Sequence, residues 1–206
     1  VSGAIIQAVL NNSLASPNII GVNSGAGFCA LLAASLFPAA TMLVPVAAFF
    51  GALATSLFIY ALAAKTGASR MTLVLAGVAI GSILSAGMDV LMILFPDDVI
   101  GATGFLVGSF SGVTMTGLQP AAILIAIGLV LALVCGYDLN VLALGEEIAS
   151  GLGMRVARMR FVLIAISALL AGAAVSFAGL LGFIGLMVPH ICRRFLGADN
   201  RVVLPC

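Results

Sequence analysis

Runs of about twenty apolar residues succeed one another along this chain with hardly a charge between them, which is the length an α-helix needs to cross a hydrocarbon core of roughly 30 Å. Of 206 residues, 63% are hydrophobic and 7% charged, and the mean hydropathy is +1.33. A soluble domain usually carries about 25% charged residues, so that class is excluded. The runs also lack the alternating pattern of barrel strands. The sequence therefore predicts an all-α fold, a polytopic transmembrane helix bundle, as one domain over residues 1–206.

Taken in order, Val1 to Val9 reads as the last turns of a membrane helix running into the polar stretch Asn11 to Ser16. Spans are expected over Val22 to Phe37, Met42 to Ala64 and Met71 to Phe95, separated by Pro38, by the loop Lys65 to Arg70 and by Pro96-Asp97-Asp98. Val99 to Thr116 is glycine-rich and weakly hydrophobic, and is expected to form a partial or re-entrant helix. Leu118 to Cys135 and Phe161 to Phe177 complete the full spans, and Leu180 to Ile191 reads as a shorter helix ending at Pro189-His190-Ile191-Cys192-Arg193-Arg194. In all, about seven spans or partial spans are represented. The chain opens without Met inside an apolar run and stops at Cys206 with no further span, so both ends are expected to be cut, and Val1 to Leu10 does not read as a signal peptide.

Between the last two full spans lies the one long polar interruption, Gly136 to Arg160, with one Asp, two Glu and three Arg. Val141, Leu142, Leu144, Ile148 and Leu152 recur at spacings of three and four, which predicts a short amphipathic helix outside the lipid. All eight basic residues, Lys65, Arg70, Arg155, Arg158, Arg160, Arg193, Arg194 and Arg201, fall on one side of these spans, and only Asp97 and Asp98 mark the other. The positive-inside rule makes the basic side cytoplasmic.

Small residues at helical spacing, Gly77 with Gly81 and Ser85, Gly104 with Gly108 and Gly112, and Ala168 with Gly172, are expected to form close-packing faces, because lipid gives no hydrophobic drive between helices. Cys29, Cys135, Cys192 and Cys206 are scattered, with no C-x-x-C pair and no His cluster, and read as apolar packing residues. The only lysine, Lys65, follows Ala64, so no phosphate-binding P-loop is present and any ATPase would be a separate polypeptide. No catalytic, cofactor-binding or metal-ligating set is found, and neither an enzyme nor a nucleic-acid partner is expected. Asp89 is an intramembrane acid on the stripe of Gly77 and Gly81, expected to be buried or protonated and hydrogen-bonded. His190 and the arginines after it read as a cationic helix end.

Four ordered segments, SGAIIQAVLNNSLASPNIIGVNSGAG, LAGVAIGSILSA, LNVLALGEEIASGLGM and GLLGFIGLMVPHICRRFLGADNRVVLP, together resemble the permease subunits of the FecCD/vitamin B12-type ABC importer family, which takes up iron-siderophores, haem and cobalamin. The resemblance implies a ten-helix permease in the bacterial cytoplasmic (inner) membrane, paired with a second permease copy as a homodimer or related heterodimer. It further implies ATP-binding cassette subunits on one side and a periplasmic or lipid-anchored substrate-binding protein on the other. It makes residues 136–160 a cytoplasmic coupling loop and places Leu144, Gly145, Glu146, Glu147 and Gly153 on its ATPase-coupling positions. Asn12 and Leu14 become cytoplasmic gate candidates. Ser13 stands where the family usually has Pro, Phe105 where it often has Trp, and the family's first helix, most of its second and its last two fall outside this chain. The expected function is ATP-driven translocation of an iron-siderophore-type chelate by alternating access. The alternatives are a proton-coupled transporter using Asp89 and a transport-inactive fragment.

Overall fold

The structure, a computed structural model, describes residues 1–65, 69–97, 103–109, 115–197 and 199–205, and the elements it defines are all helical. Helix α1 covers Ser2–Leu10, and a 3-10 turn at Pro17–Ile20 leads into α2, Val22–Leu36. Helices α3, α4 and α5 span Leu43–Lys65, Arg70–Leu94 and Thr103–Val107. They are followed by α6, Met115–Val134, α7, Gly136–Ala143, and α8, Glu146–Gly151. The chain closes with α9, Val156–Ala178, α10, Ile184–Leu196, and α11, Asn200–Val203. Helices α3, α4, α6 and α9 are long and apolar enough to cross a membrane, and α2 is a shorter apolar helix. A 23-residue helix such as α3 or α9 is about 34 Å long, enough for the hydrocarbon core.

Helix α9 is the centre of the bundle. It packs against α1, α2, α3 and α6, and 67% of its apolar window is buried, against 11% for α4 and 17% for α6. What it buries is a mixture of large and small side chains, Leu163, Ile164, Ile166 and Leu170 among Ser167, Ala168, Gly172 and Ala173. Small residues let neighbouring backbones close in, and dispersion then holds the helices where lipid supplies no hydrophobic drive. Gly172 shows this: a Cβ there would stand 3.2 Å from the Cβ of Ala52 on α3.

Of the predicted small-residue faces, that on α4 is partly realised. A Cβ on Gly77 would fall 1.8 Å from the carbonyl oxygen of Ile19, so the 3-10 turn rests directly on α4 there. Gly81 has only Ser24 Oγ at ordinary contact distance, and Ser85 is exposed. Of the face predicted on Gly104, Gly108 and Gly112, the two described residues do not share a helix. Helix α5 is about one and a half turns long and ends at Val107, a Cβ on Gly104 would meet nothing within 4 Å, and Gly108 has left the helix with φ +75°. Gly112, Asp98 and Cys206 lie outside the described residues, as does half of the predicted partial helix from Val99 to Thr116. Cys29 packs as expected, its Cβ filling the space beside Gly51.

The helix predicted to begin at Leu180 starts at Ile184 and continues beyond Ile191 to Leu196, with Pro189 inside it. The late start follows from hydrogen bonding: Leu180 N donates to Phe105 O at 2.9 Å and Ser109 N to Ala178 O at 3.0 Å, so the chain after α9 is tied to α5 first. Gly179 makes the approach possible, since a Cβ there would lie 2.4 Å from Phe105 O. A left-handed Phe183, φ 61°, then turns the chain into α10.

Candidate functional site

The polar interruption folds as two short helices, α7 and α8, where the sequence predicted one. The break falls at Gly145, whose φ of +112° is a conformation that glycine adopts without a Cβ penalty. Apolar periodicity runs through this residue, so periodicity alone does not reveal the break. Helix α7 buries Leu139, Val141 and Leu142, and α8 buries only Ala149. Helix α9 begins at Val156, inside the predicted loop, so Arg158 and Arg160 belong to its first turns.

Each of the two helices is fixed to a different part of the molecule. On α7, the Asn140 amide donates to Asp199 Oδ1 at 2.6 Å, and its Oδ1 accepts from the backbone N and the Nδ2 of Asn200, both at 2.9 Å. The guanidinium of Arg201 lies 5.0 Å from the centre of the Tyr137 ring, a cation–π contact between the same elements. Asp199 also caps α11 by accepting from Arg201 N. The amide of Asn140, then the backbone N–H of Arg201, hold its carboxyl below the usual carboxylate range, since donors to the charged form favour it.

On α8, one oxygen of Glu146 serves two cations. Oε1 accepts from Nη2 of Arg160, the guanidinium of α9 whose side chain is only 4% exposed, and lies 3.6 Å from Nε of Arg70, the first residue of α4. Beside this junction Tyr60 of α3 donates to the carbonyl of Ala157 at 2.7 Å. Arg70, Arg160 and Arg201 are thereby gathered at the end of the bundle that carries α7 and α8, in agreement with the charge segregation predicted from sequence.

The outward surface of this connection carries an apolar row. Leu144, Ile148 and Leu152, at spacings of four, are each more than half exposed, and Glu147 is exposed beside them. Gly153, with φ +84°, turns the chain from α8 toward α9. Of the predicted coupling residues, Leu144 and Glu147 thus face outward, Gly145 and Gly153 shape the loop, and Glu146 turns partly inward to Arg160 and Arg70.

Asn12 and Leu14 sit together in the exposed loop after α1. Asn12 Oδ1 accepts from Leu14 N at 2.9 Å, which closes a local turn behind the left-handed Asn11, φ 48°, and leaves the Leu14 side chain projecting. Asp89, expected to be buried or protonated and hydrogen-bonded, is exposed within this chain, on a face of α4 turned away from the bundle core. His190 is also exposed, and lies inside α10 where the sequence placed it near the helix end. Arg193 reaches across to accept a role beyond helix capping, donating to Oε1 of the buried Gln7 on α1, whose Nε2 donates in turn to Leu186 O at 3.4 Å.

Sequence reasoning missed Asn140, Asp199, Arg70 and Arg160 as partners of the connection. Arg160 carried one usable signal, a charge followed without interruption by the apolar run of α9. Among the described residues no group of His, Cys, Asp and Glu could hold a metal ion.

The FecCD transport family model matches residues 1–206. The chain is 38% identical to an Fe(3+)-citrate import system permease protein of Bacillus subtilis, over 99% of its own length and 62% of the relative's. It is 38% identical to a cobalamin import system permease protein of Halobacterium salinarum, over 100% and 56%, and 37% identical to a hemin transport system permease protein of Yersinia pestis, over 100% and 63%. It thus spans about three-fifths of the length of these curated relatives. A solved structure described as the inward-facing conformation of a metal-chelate type ABC transporter superposes with a TM-score of 0.88 at 27% identity, over 100% of this chain and 66% of that one.

Proposed function

Because the chain belongs to the FecCD transport family, we propose that it is the membrane-spanning part of an ABC importer that moves an iron-siderophore-type metal chelate across the bacterial inner membrane. A separate ATP-binding subunit drives it through the connection α7–α8, and a binding protein delivers the chelate from the opposite face. Two permease copies enclose the path, and the bundle alternates between outward-open and inward-open arrangements as rigid bodies.

The observation that carries this reading is the exposed row Leu144, Ile148 and Leu152 on a helix pair at the arginine-rich end of the bundle. A water-facing apolar row is unfavourable alone and is a natural seat for a protein partner. Rigid attachment of α7 and α8 to α4, α9 and α11 lets a push on that row reach the spans. In the same reading the loop holding Asn12 and Leu14 narrows the cytoplasmic exit. The breadth of chelates named for the relatives, ferric citrate, cobalamin and hemin, fits a path that leaves selection mainly to the binding protein. The test is uptake into proteoliposomes holding the permease with its ATP-binding subunits and binding protein. ATP-dependent accumulation of a ferric siderophore supports the proposal, and accumulation that follows a proton gradient without ATP overturns it.

A further inference from the structure

Two guanidinium groups from two different spans converge on one carboxylate oxygen of the six-residue helix α8. Arg160 of α9 is almost fully enclosed, Arg70 opens α4, and Glu146 Oε1 lies between them. Arg160 reaches back 14 residues along the chain, so the bond closes the loop between α8 and α9, and Arg70 adds a span from a distant part of the sequence. Helix α8 has no side-chain N-cap and buries only Ala149, so apolar packing gives it little hold on the bundle. An ion pair with one deeply enclosed partner is directional, and losing the carboxylate would leave that guanidinium without it. Helix α4, in turn, is the least enclosed of the four long spans, with 11% of its apolar window buried.

We infer that Glu146 is a positioning residue, an internal strut that transmits displacement of α8 to α4 through Arg70 and to α9 through Arg160, while the ATPase contact falls to Leu144, Glu147, Ile148 and Leu152. The inference rests on the proposed coupling role of α8. It separates two tasks that residues 144–152 would otherwise share: the apolar row and Glu147 hold the partner, and the Glu146 carboxylate, 46% exposed but paired with Arg160 and Arg70, passes the motion on.

Its test uses the permease assembled with its ATP-binding subunits in proteoliposomes, reading subunit association by co-purification and uptake per ATP hydrolysed. Glu146→Gln keeps the side chain's size and removes its charge. It is expected to retain the ATPase while lowering uptake per ATP about fivefold or more, the usual scale of a coupling free energy. Arg70→Gln is expected to act in the same direction, and the double variant to be no worse than Glu146→Gln alone, because both remove one connection. Release of the ATPase by Glu146→Gln, unchanged uptake per ATP, or strictly additive losses would each overturn the strut. If Glu146→Gln fails to accumulate in the membrane, Arg70→Gln decides: impaired coupling with the ATPase retained supports the inference, and normal coupling overturns it. Failure of the coupling reading itself looks different, since Leu144→Asp with Ile148→Asp would then leave ATPase association intact.

Discussion

Gly25 of α2 and Gly51 of α3 meet backbone to backbone. A Cβ on Gly25 would stand 2.5 Å from the carbonyl oxygen of Gly51, and one on Gly51 would stand 2.4 Å from that of Gly25. The contact is reciprocal, so neither helix can yield without moving the other. Gly25→Val or Gly51→Val is expected to destabilise the bundle by about 1–3 kcal/mol or more, the scale of overpacking in a tight core. Gly151→Ala is the control: a Cβ there meets nothing within 4 Å, and the change is expected to be neutral or slightly stabilising. Thermal unfolding in detergent measures both, and a Gly25→Val protein as stable as the parent would refute the crossing.

The junction of α7 with α11 should depend on pH. Asp199 accepts from Asn140 and from Arg201 N, and its folded-state carboxyl titrates below the usual range. Its contribution is therefore fully present above the ordinary carboxylate pKa and is lost as pH falls through the depressed folded value. Hydrogen exchange over residues 199–204 is expected to accelerate as the buffer is taken below that range, and Asp199→Asn to remove this dependence. Exchange that stays equally slow across the acid range in the parent would contradict the assignment.

Asp89 bears on the energy source. It is exposed on the outer face of α4 in its last two turns, where an ionised side chain facing lipid costs less than the roughly 2.5–3.5 kcal/mol of a span's centre but is still unfavourable, so that face is expected to meet water or protein in the assembled importer. An ATP-driven permease needs no proton carried there. Asp89→Asn is expected to keep ATP-dependent uptake within about twofold, as for other substitutions outside a buried network. Abolished uptake with normal membrane insertion would favour proton coupling through this residue.

The spans were legible in the sequence because a membrane helix is specified by a run of apolar residues of fixed length, a property of consecutive positions. Their arrangement was less so. Helices α4 and α9 have similar hydropathy, 1.9 and 2.4, yet one is peripheral and the other central. The difference lies in which small residues face neighbours, and small-residue spacing did not reveal it, since Gly77 with Gly81 on α4 shows the same pattern as Ala168 with Gly172 on α9. The connection α7–α8 was legible as a polar break between apolar runs, and its resemblance to the permease motif is what suggests a coupling role for it. The contacts that fix it were not, because Asn140 with Asp199 and Arg70 with Glu146 are pairs far apart in sequence, and no local pattern records them. Helix α10 was misplaced for a similar reason: Leu180 and Leu181 are apolar enough for a helix, but Leu180 N is committed to Phe105 O.

The central claim, that the α7–α8 connection is where a separate ATPase engages this permease, is tested most directly by co-purification of the ATP-binding subunit with Leu144→Asp, Ile148→Asp permease. Both side chains are exposed, so the bundle is expected to fold and insert normally, and only the docking surface changes. The account predicts that the ATP-binding subunit no longer co-purifies and that ATP-dependent uptake is lost. A double variant that still holds the ATPase and transports at the parental rate would contradict it.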